Sequence, residues 1–184
     1  MKIDRDTNDL LLIQEALNEA ECEFLIDLLE SVDLPPNCAT SPFGIARPLS
    51  AGIVDECSLF NNHQFTHLLW TRLAKHLPKD LGYSNAVGLN ERLRFRRFRP
   101  GQSRPSHVDI PFLRSPVESS SFSLVIYLND DFDGGALRIG HVSVSPRRGM
   151  AVAFRHHIKH EEETVFKGVK YILRTDIMYR LKGR

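Results

Sequence analysis

Residues 170–180 read Lys170-Tyr-Ile-Leu-Arg-Thr-Asp-Ile-Met-Tyr-Arg180. Five of these eleven residues are β-branched or aromatic and neither Gly nor Pro interrupts the run, which suits a strand. With a side-chain period of two, Lys170, Ile172, Arg174 and Asp176 share one face, and Tyr171, Leu173, Thr175, Ile177 and Tyr179 share the other. Two placements satisfy that division. In one, the charged face lies in water and the apolar face on the core. In the other, the charged face lines the inside of a barrel and the apolar face packs beneath helices.

Immediately upstream, Lys167-Gly168 marks a turn after a short strand over 164–166. Further period-two runs are expected at 90–98, 122–128, Leu137–Ile139, Val142–Val144 and 150–154. Asp133-Gly-Gly135 and Pro146-Arg-Arg-Gly149 supply turns between them. The N-terminal part has a different rhythm. After a short strand over 10–13, Asn18 and Glu21 have the spacing of a capping box, and Phe24, Leu25, Leu28 and Leu29 form one apolar helix face. A second helix is expected over 62–77, with Phe65, Leu69, Leu73 and His76 near one face and Pro78 ending it. Between the helices, residues 33–55 hold Pro35, Pro36, Pro42, Gly44, Pro48 and Gly52 and are expected to form an irregular loop bordering the site. Two helices followed by many short strands point to an α+β fold, with the helices covering one face of a sandwich or barrel.

The 184 residues suit a single domain over 1–184, with a support region over 1–84 and a strand-rich core over 85–180. A 42% hydrophobic, 26% charged composition excludes global disorder. No window approaches the roughly 18 uninterrupted apolar residues of a membrane helix, and the acidic start is unlike a secretory signal. Cys22, Cys38 and Cys57 form no CxxC pair, so a reducing cytoplasm is expected. The net charge of +1 hides an asymmetry: residues 1–38 hold two basic and ten acidic residues, leaving +9 on the remainder. The excess is densest in Arg92-Leu-Arg-Phe-Arg-Arg-Phe-Arg99. Arginines interleaved with aromatics can track a nucleic-acid backbone, the reading of the chain as a nucleic-acid-binding or interaction module.

His107-Val-Asp109 and the distant His160 carry the chemistry. Two imidazoles and a carboxylate can take one face of a metal ion and leave the other open, an arrangement suited to Fe(II) and to a co-substrate with O2. His156 and His157 are rivals for the third position. A cupin-like metal enzyme without an organic co-substrate is compatible with these ligands alone. Elsewhere His63, His67, His76 and His141 read as surface or packing residues, and Glu161–Glu163 as a solvated run able to hold nearby arginines.

RFRRFRPGQSRPSHVD, SLVIYLNDDFDGG, VSPRRGMAVAF and HEEETVFKGVKYILRTDIMYR occur in that order over residues 85–180. Together they resemble the Fe(II)/2-oxoglutarate dioxygenases of the prolyl 4-hydroxylase type. The resemblance implies a double-stranded β-helix, the jelly-roll of cupin-like proteins, with N-terminal helices packed on one sheet. It therefore favours the second placement of the last strand. It implies Fe(II) on His107, Asp109 and His160, with 2-oxoglutarate and O2 as co-substrates and ascorbate as a further option. His160 is preferred over His156 and His157 because a Glu follows it and a basic residue, Lys170, lies ten positions on. Lys170 then pairs with the far carboxylate of 2-oxoglutarate, Arg174 is an alternative or second contact, and the Tyr127 hydroxyl is a hydrogen-bond partner. Asp109 argues against halogenating relatives, which lack this carboxylate. Family members often carry tyrosines at the positions of Arg96 and Phe98. The change leaves a cation at 96, and with Arg94 on the same face it points to recognition of an anionic group on the substrate. A hydroxylase of a peptidyl proline or a small amino-acid-like molecule is the activity implied, with the oligomeric state left open.

Overall fold

The computed structural model describes residues 3–7, 9–31, 39–40, 46–47 and 56–183. The N-terminal part contains strands β1 (Ile3–Thr7) and β2 (Leu10–Ile13), helix α1 (Glu19–Glu30), the short strands β3 (Ala39–Thr40) and β4 (Ala46–Arg47), strand β5 (Glu56–Asn61) and helix α2 (His63–Leu73). Strands β6 (Ser84–Leu89), β7 (Arg92–Phe98), β8 (Arg104–His107), β9 (Leu113–Ser115) and β10 (Glu118–Tyr127) follow. The chain ends with β11 (Asp133–Gly134), β12 (Leu137–Ile139), β13 (Val142–Val144), β14 (Ala151–Arg155), β15 (His160–Glu162), β16 (Val165–Lys167) and β17 (Lys170–Leu181). Apart from the β3–β4 pair, the loop expected over 33–55 lies outside the described residues.

Two sheets build the core. The larger runs β1-β2-β14-β10-β17-β7-β5, with β6 added beside β17 and β9 beside β10; the smaller runs β13-β12-β15-β8. From β7 to β17 the main strands alternate between the two sheets, the winding of a double-stranded β-helix. Alternation of side chains then divides the interior into two layers. Phe98, Val125, Tyr127, Val152, Phe154 and Ile172 of the large sheet meet Leu137, Ile139 and Val144 of the small one. On the reverse face of the large sheet, Leu93, Phe95, Leu124, Leu173 and Ile177 meet Leu25, Leu29, Leu69 and Leu73 of the helices. The charged face of β17 therefore points into the barrel, with Lys170, Arg174 and Asp176 buried.

Local signals fix the helices. The Asn18 side chain accepts the Glu21 amide N–H at 2.8 Å, and the Glu21 carboxylate accepts the Asn18 N–H at 2.8 Å, completing the capping box. The α1 face expected from Phe24, Leu25, Leu28 and Leu29 is corrected: Cys22, Leu25 and Leu29 are buried, while Phe24 and Leu28 face outward. Spacing of three and four places 22, 25 and 29 along one stripe, and 24 and 28 lie beside it. Asn62 caps α2 by accepting the Phe65 N–H at 2.9 Å, and the helix ends at Leu73 rather than near 77, although Leu77 still enters the core. Gly149 has φ +73°, and its carbonyl accepts the N–H groups of Ala16 and Leu17. An added Cβ would lie 2.1 Å from the Leu17 carbonyl oxygen, so only glycine lets the chain before α1 close on the barrel. No helix among the described residues is long and apolar enough to cross a membrane.

Candidate metal centre

His107 is the last residue of β8 and His160 the first of β15, and the two are direct partners in that ladder. Their rings lie 4.2 Å apart between centroids. Asp109, two residues beyond His107, is held by its backbone N–H on the His156 carbonyl at 2.9 Å. One ligand atom from each of His107, Asp109 and His160 falls within 4.8 Å of the others. Asp109 Oδ1 is 3.7 Å from His107 Nε2, and Asp109 Oδ2 is 3.5 Å from His160 Nε2.

Hydrogen bonds orient the donors. Nδ1 of His107 meets the Pro105 carbonyl at 2.8 Å, and Nδ1 of His160 meets the Ile158 carbonyl at 3.0 Å. A carbonyl only accepts, so each ring carries its proton on Nδ1 and leaves its Nε2 lone pair to accept; that of His107 takes the Arg104 Nε–H at 3.0 Å. Burial favours the neutral ring: it pushes His107 down to about 3 and lowers His160 as well. His160 Nε2 is buried with no hydrogen-bond partner among the described residues. Burial opposes ionisation of Asp109, but the positive charge of Arg174 and hydrogen bonds from Arg174 and Ser123 outweigh it and hold the carboxyl well below its usual range. Ser123 Oγ donates to Asp109 Oδ2 at 2.5 Å, and Arg174 pairs with the same oxygen. Two neutral imidazoles and one ionised carboxylate, with an orphaned nitrogen turned inward, fit a divalent metal. The rival His156 is buried behind Asp109, its Nδ1 3.9 Å from Asp109 Oδ2, but its ring nitrogens are taken up by Ser120 and Ser123 at 2.8 and 3.0 Å. His157 is exposed.

The remaining expected residues surround this centre unequally. Tyr127 is fully buried in the barrel and its hydroxyl has no described partner; burial and the nearby Glu162 charge raise its pKa well above the usual phenol value. Phe98 lies beside it, with no hydroxyl to offer. Lys170 is fully buried, with Nζ bonded to the Gly135 carbonyl at 2.5 Å and paired with Glu162. Arg174 is committed to Asp109 and Arg94 to Asp176, the latter at 2.6 Å. Arg96 is 3% exposed and lines a small cavity together with Arg104, His107, Val125, His160, Glu162, Ile172 and Arg174. Glu162 is corrected from solvated to buried; Glu161 and Glu163 do hold Arg138. Ser123 and Glu162 were not among the expected site residues. Ser123 had a signal, since it alternates with Val125 and Tyr127 on the inward face.

The basic segment forms no exposed stripe. Arg92, Arg94, Arg96 and Arg97 are buried. Arg92 lies over the Phe112 ring, and Arg97 pairs with Glu30 and Glu56. A backbone-tracking surface needs those cations in water, so the nucleic-acid module loses its main support.

A sequence model described as the 2OG-Fe(II) oxygenase superfamily matches residues 93–175. No curated protein sequence matches the chain. Among solved structures, the fold is similar to a viral collagen prolyl hydroxylase from Paramecium Bursaria Chlorella virus-1 in complex with 2OG, at TM-score 0.63 and 17% identity over 94% of this chain and 96% of that one. It is similar to a prolyl-4-hydroxylase from Pseudomonas putida, at TM-score 0.65 and 18% identity over 96% and 95%. A prolyl hydroxylase from Trichoplax adhaerens, in complex with a hypoxia inducible factor peptide fragment, gives TM-score 0.70 and 14% identity over 94% and 84%. The His-Asp-His cluster thus lies within the segment, residues 93–175, that matches the sequence model of the 2OG-Fe(II) oxygenase superfamily.

Proposed function

We propose that the protein is an Fe(II)- and 2-oxoglutarate-dependent hydroxylase, working as one domain, in which His107, Asp109 and His160 hold the metal. The observation that carries this reading is the buried, unpartnered Nε2 of His160 beside an ionised Asp109 and a neutral His107. When bound, Fe(II) and 2-oxoglutarate supply the activation of O2 that puts one oxygen into a C–H bond as the co-substrate loses CO2. This chain's residues do the rest. The Pro105 and Ile158 carbonyls fix the imidazole tautomers, and Ser123 and Arg174 orient Asp109. Tyr127 Oη and Lys170 Nζ, both buried in the barrel among Phe98, Val125 and Ile172, would hold the co-substrate's far end.

The substrate class is a peptidyl proline or a small amino-acid-like molecule. Exposed Val108, Ile110 and Leu113 beside the ligand strand support a peptide, as does the peptide bound by the Trichoplax adhaerens enzyme. Cys22 and Cys57 are buried and unbridged, in keeping with a reducing cytoplasm. The test is succinate formation from 2-oxoglutarate by the Fe(II)-loaded protein with a peptide and metabolite library, followed by a search for products that gain one oxygen. Asp109→Ala should abolish both signals; succinate formed at the wild-type rate by that variant overturns the reading.

A further inference from the structure

Across the β12–β15 ladder, Leu137 opposes Glu162 and Ile139 opposes His160, so Glu162 shares the inward face with the metal ligand while Glu161 between them turns out to Arg138. Glu162 is 5% exposed, and its carboxylate holds the ammonium of Lys170. That ammonium lies 5.3, 5.4 and 5.9 Å from the ring centroids of Phe98, Tyr127 and Phe132. Its other acceptor is the Gly135 carbonyl. Gly135 has φ +63°, and a Cβ there would come within 3.2 Å of Lys170 Cδ.

The cavity beside the metal centre is lined by Glu162 and not by Lys170. Its volume is about 10 Å³, room for about one water. We propose that Glu162 is an internal counter-anion that occupies the co-substrate's anchor, so that 2-oxoglutarate binds only by competing with it for Lys170. This rests on the reading of the barrel as a 2-oxoglutarate site. A lysine has three N–H donors, but one ammonium neutralises one carboxylate. A second carboxylate brought to Lys170 meets the Glu162 charge in a buried, low-dielectric site. Glu162 must therefore turn away as the distal carboxylate arrives, and it sets both the affinity and the preference for a 2-oxo acid with a charged far end.

The experiment compares wild type with Glu162→Gln, each loaded with Mn(II) under anaerobic conditions. Binding of 2-oxoglutarate and of its 5-amide is measured by calorimetry. The amide keeps the chelating end and removes the distal charge. Glu162→Gln is expected to bind 2-oxoglutarate at least about tenfold more tightly, with the amide unchanged. Unchanged or weaker 2-oxoglutarate binding overturns the proposal. If neither protein binds 2-oxoglutarate, the co-substrate reading itself falls and takes the proposal with it. Should Glu162→Gln not fold, the double change Glu162→Leu with Lys170→Leu removes both charges together. That protein is expected to bind acid and amide alike; a retained preference for the acid would place the anchor on the arginines and overturn the proposal.

Discussion

His107 and His160, 53 residues apart in sequence, are direct partners across the β8–β15 ladder. The pairing turns two Nε2 atoms toward one carboxylate, and Asp109 completes the set. Asp109→Ala and His160→Ala should each abolish Fe(II) binding measured under anaerobic conditions. His156→Ala should retain it, because that ring is spent on Ser120 and Ser123. Ser123→Ala removes the hydroxyl that orients Asp109 and should weaken metal binding by about 10–100-fold without abolishing it. Loss of the metal in His156→Ala with retention in His160→Ala would reassign the third ligand.

Arg94 and Asp176 form a buried pair one step deeper in the barrel. Asp176→Asn leaves a guanidinium buried without its counter-ion and should cost about 3–5 kcal/mol in urea unfolding. Replacing both partners by leucine should recover most of that loss. Burial opposes ionisation of Asp176, but Arg94 and Arg174 outweigh it and lower its pKa in the folded state. Its contribution is therefore present above the unfolded carboxyl value of about 3.8 and is lost as pH falls below it. Wild type should lose stability over that acid range more steeply than Asp176→Asn.

Much of this was legible because period-two strands announce their faces. Leu93 and Phe95 against Arg92, Arg94 and Arg96 placed the helices on one side of β7 and the cations inside, as found. The last strand was different: on pattern alone its charged face suits water, and its turn into the barrel has a physical reason only once Lys170 meets Glu162, eight residues upstream, and Arg174 meets Asp109. Glu162 was hidden for the same reason. A run of three glutamates reads as solvated, and only the lysine brought in by β17 makes burial of the middle one tolerable. Strands β6 and β8 were missed because Ser-Asn-Ala-Val-Gly-Leu and Arg-Pro-Ser-His lack a hydrophobic alternation; their pairing with β17 and β15 makes them strands. Phe24 and Leu28 show the opposite failure, since apolar residues beside a helix stripe need not be in it.

Lys170→Ala removes the cation that Glu162 holds and that 2-oxoglutarate is expected to reach. Two effects should appear together. Thermal stability should fall, because a buried glutamate is left without its partner. Among molecules that remain folded, the concentration of 2-oxoglutarate needed for half-maximal succinate formation should rise at least about tenfold, equivalent to about 1.4 kcal/mol. A stability loss with no change in that requirement would make Lys170 a structural cation and move the anchor to Arg174 or Arg96.

Arg96 faces Ile172 across the β7–β17 ladder and lines the cavity that His107 and His160 also border. Its neighbours Phe95 and Arg97 turn to the helix side, where Phe95 joins the core and Arg97 meets Glu30 and Glu56. A planar guanidinium beside the metal centre suits bidentate recognition of a carboxylate on the substrate. The rival role is to hold the 33–55 segment through Asp33 or Asp55, acids that lie outside the described residues. The two roles separate once a substrate is in hand. Arg96→Leu should lower kcat/KM for an anionic substrate at least about tenfold more than for its neutral amide analogue, a difference of about 1.4 kcal/mol. Equal losses for both would mean that the guanidinium supports the barrel wall and does not read the substrate's charge.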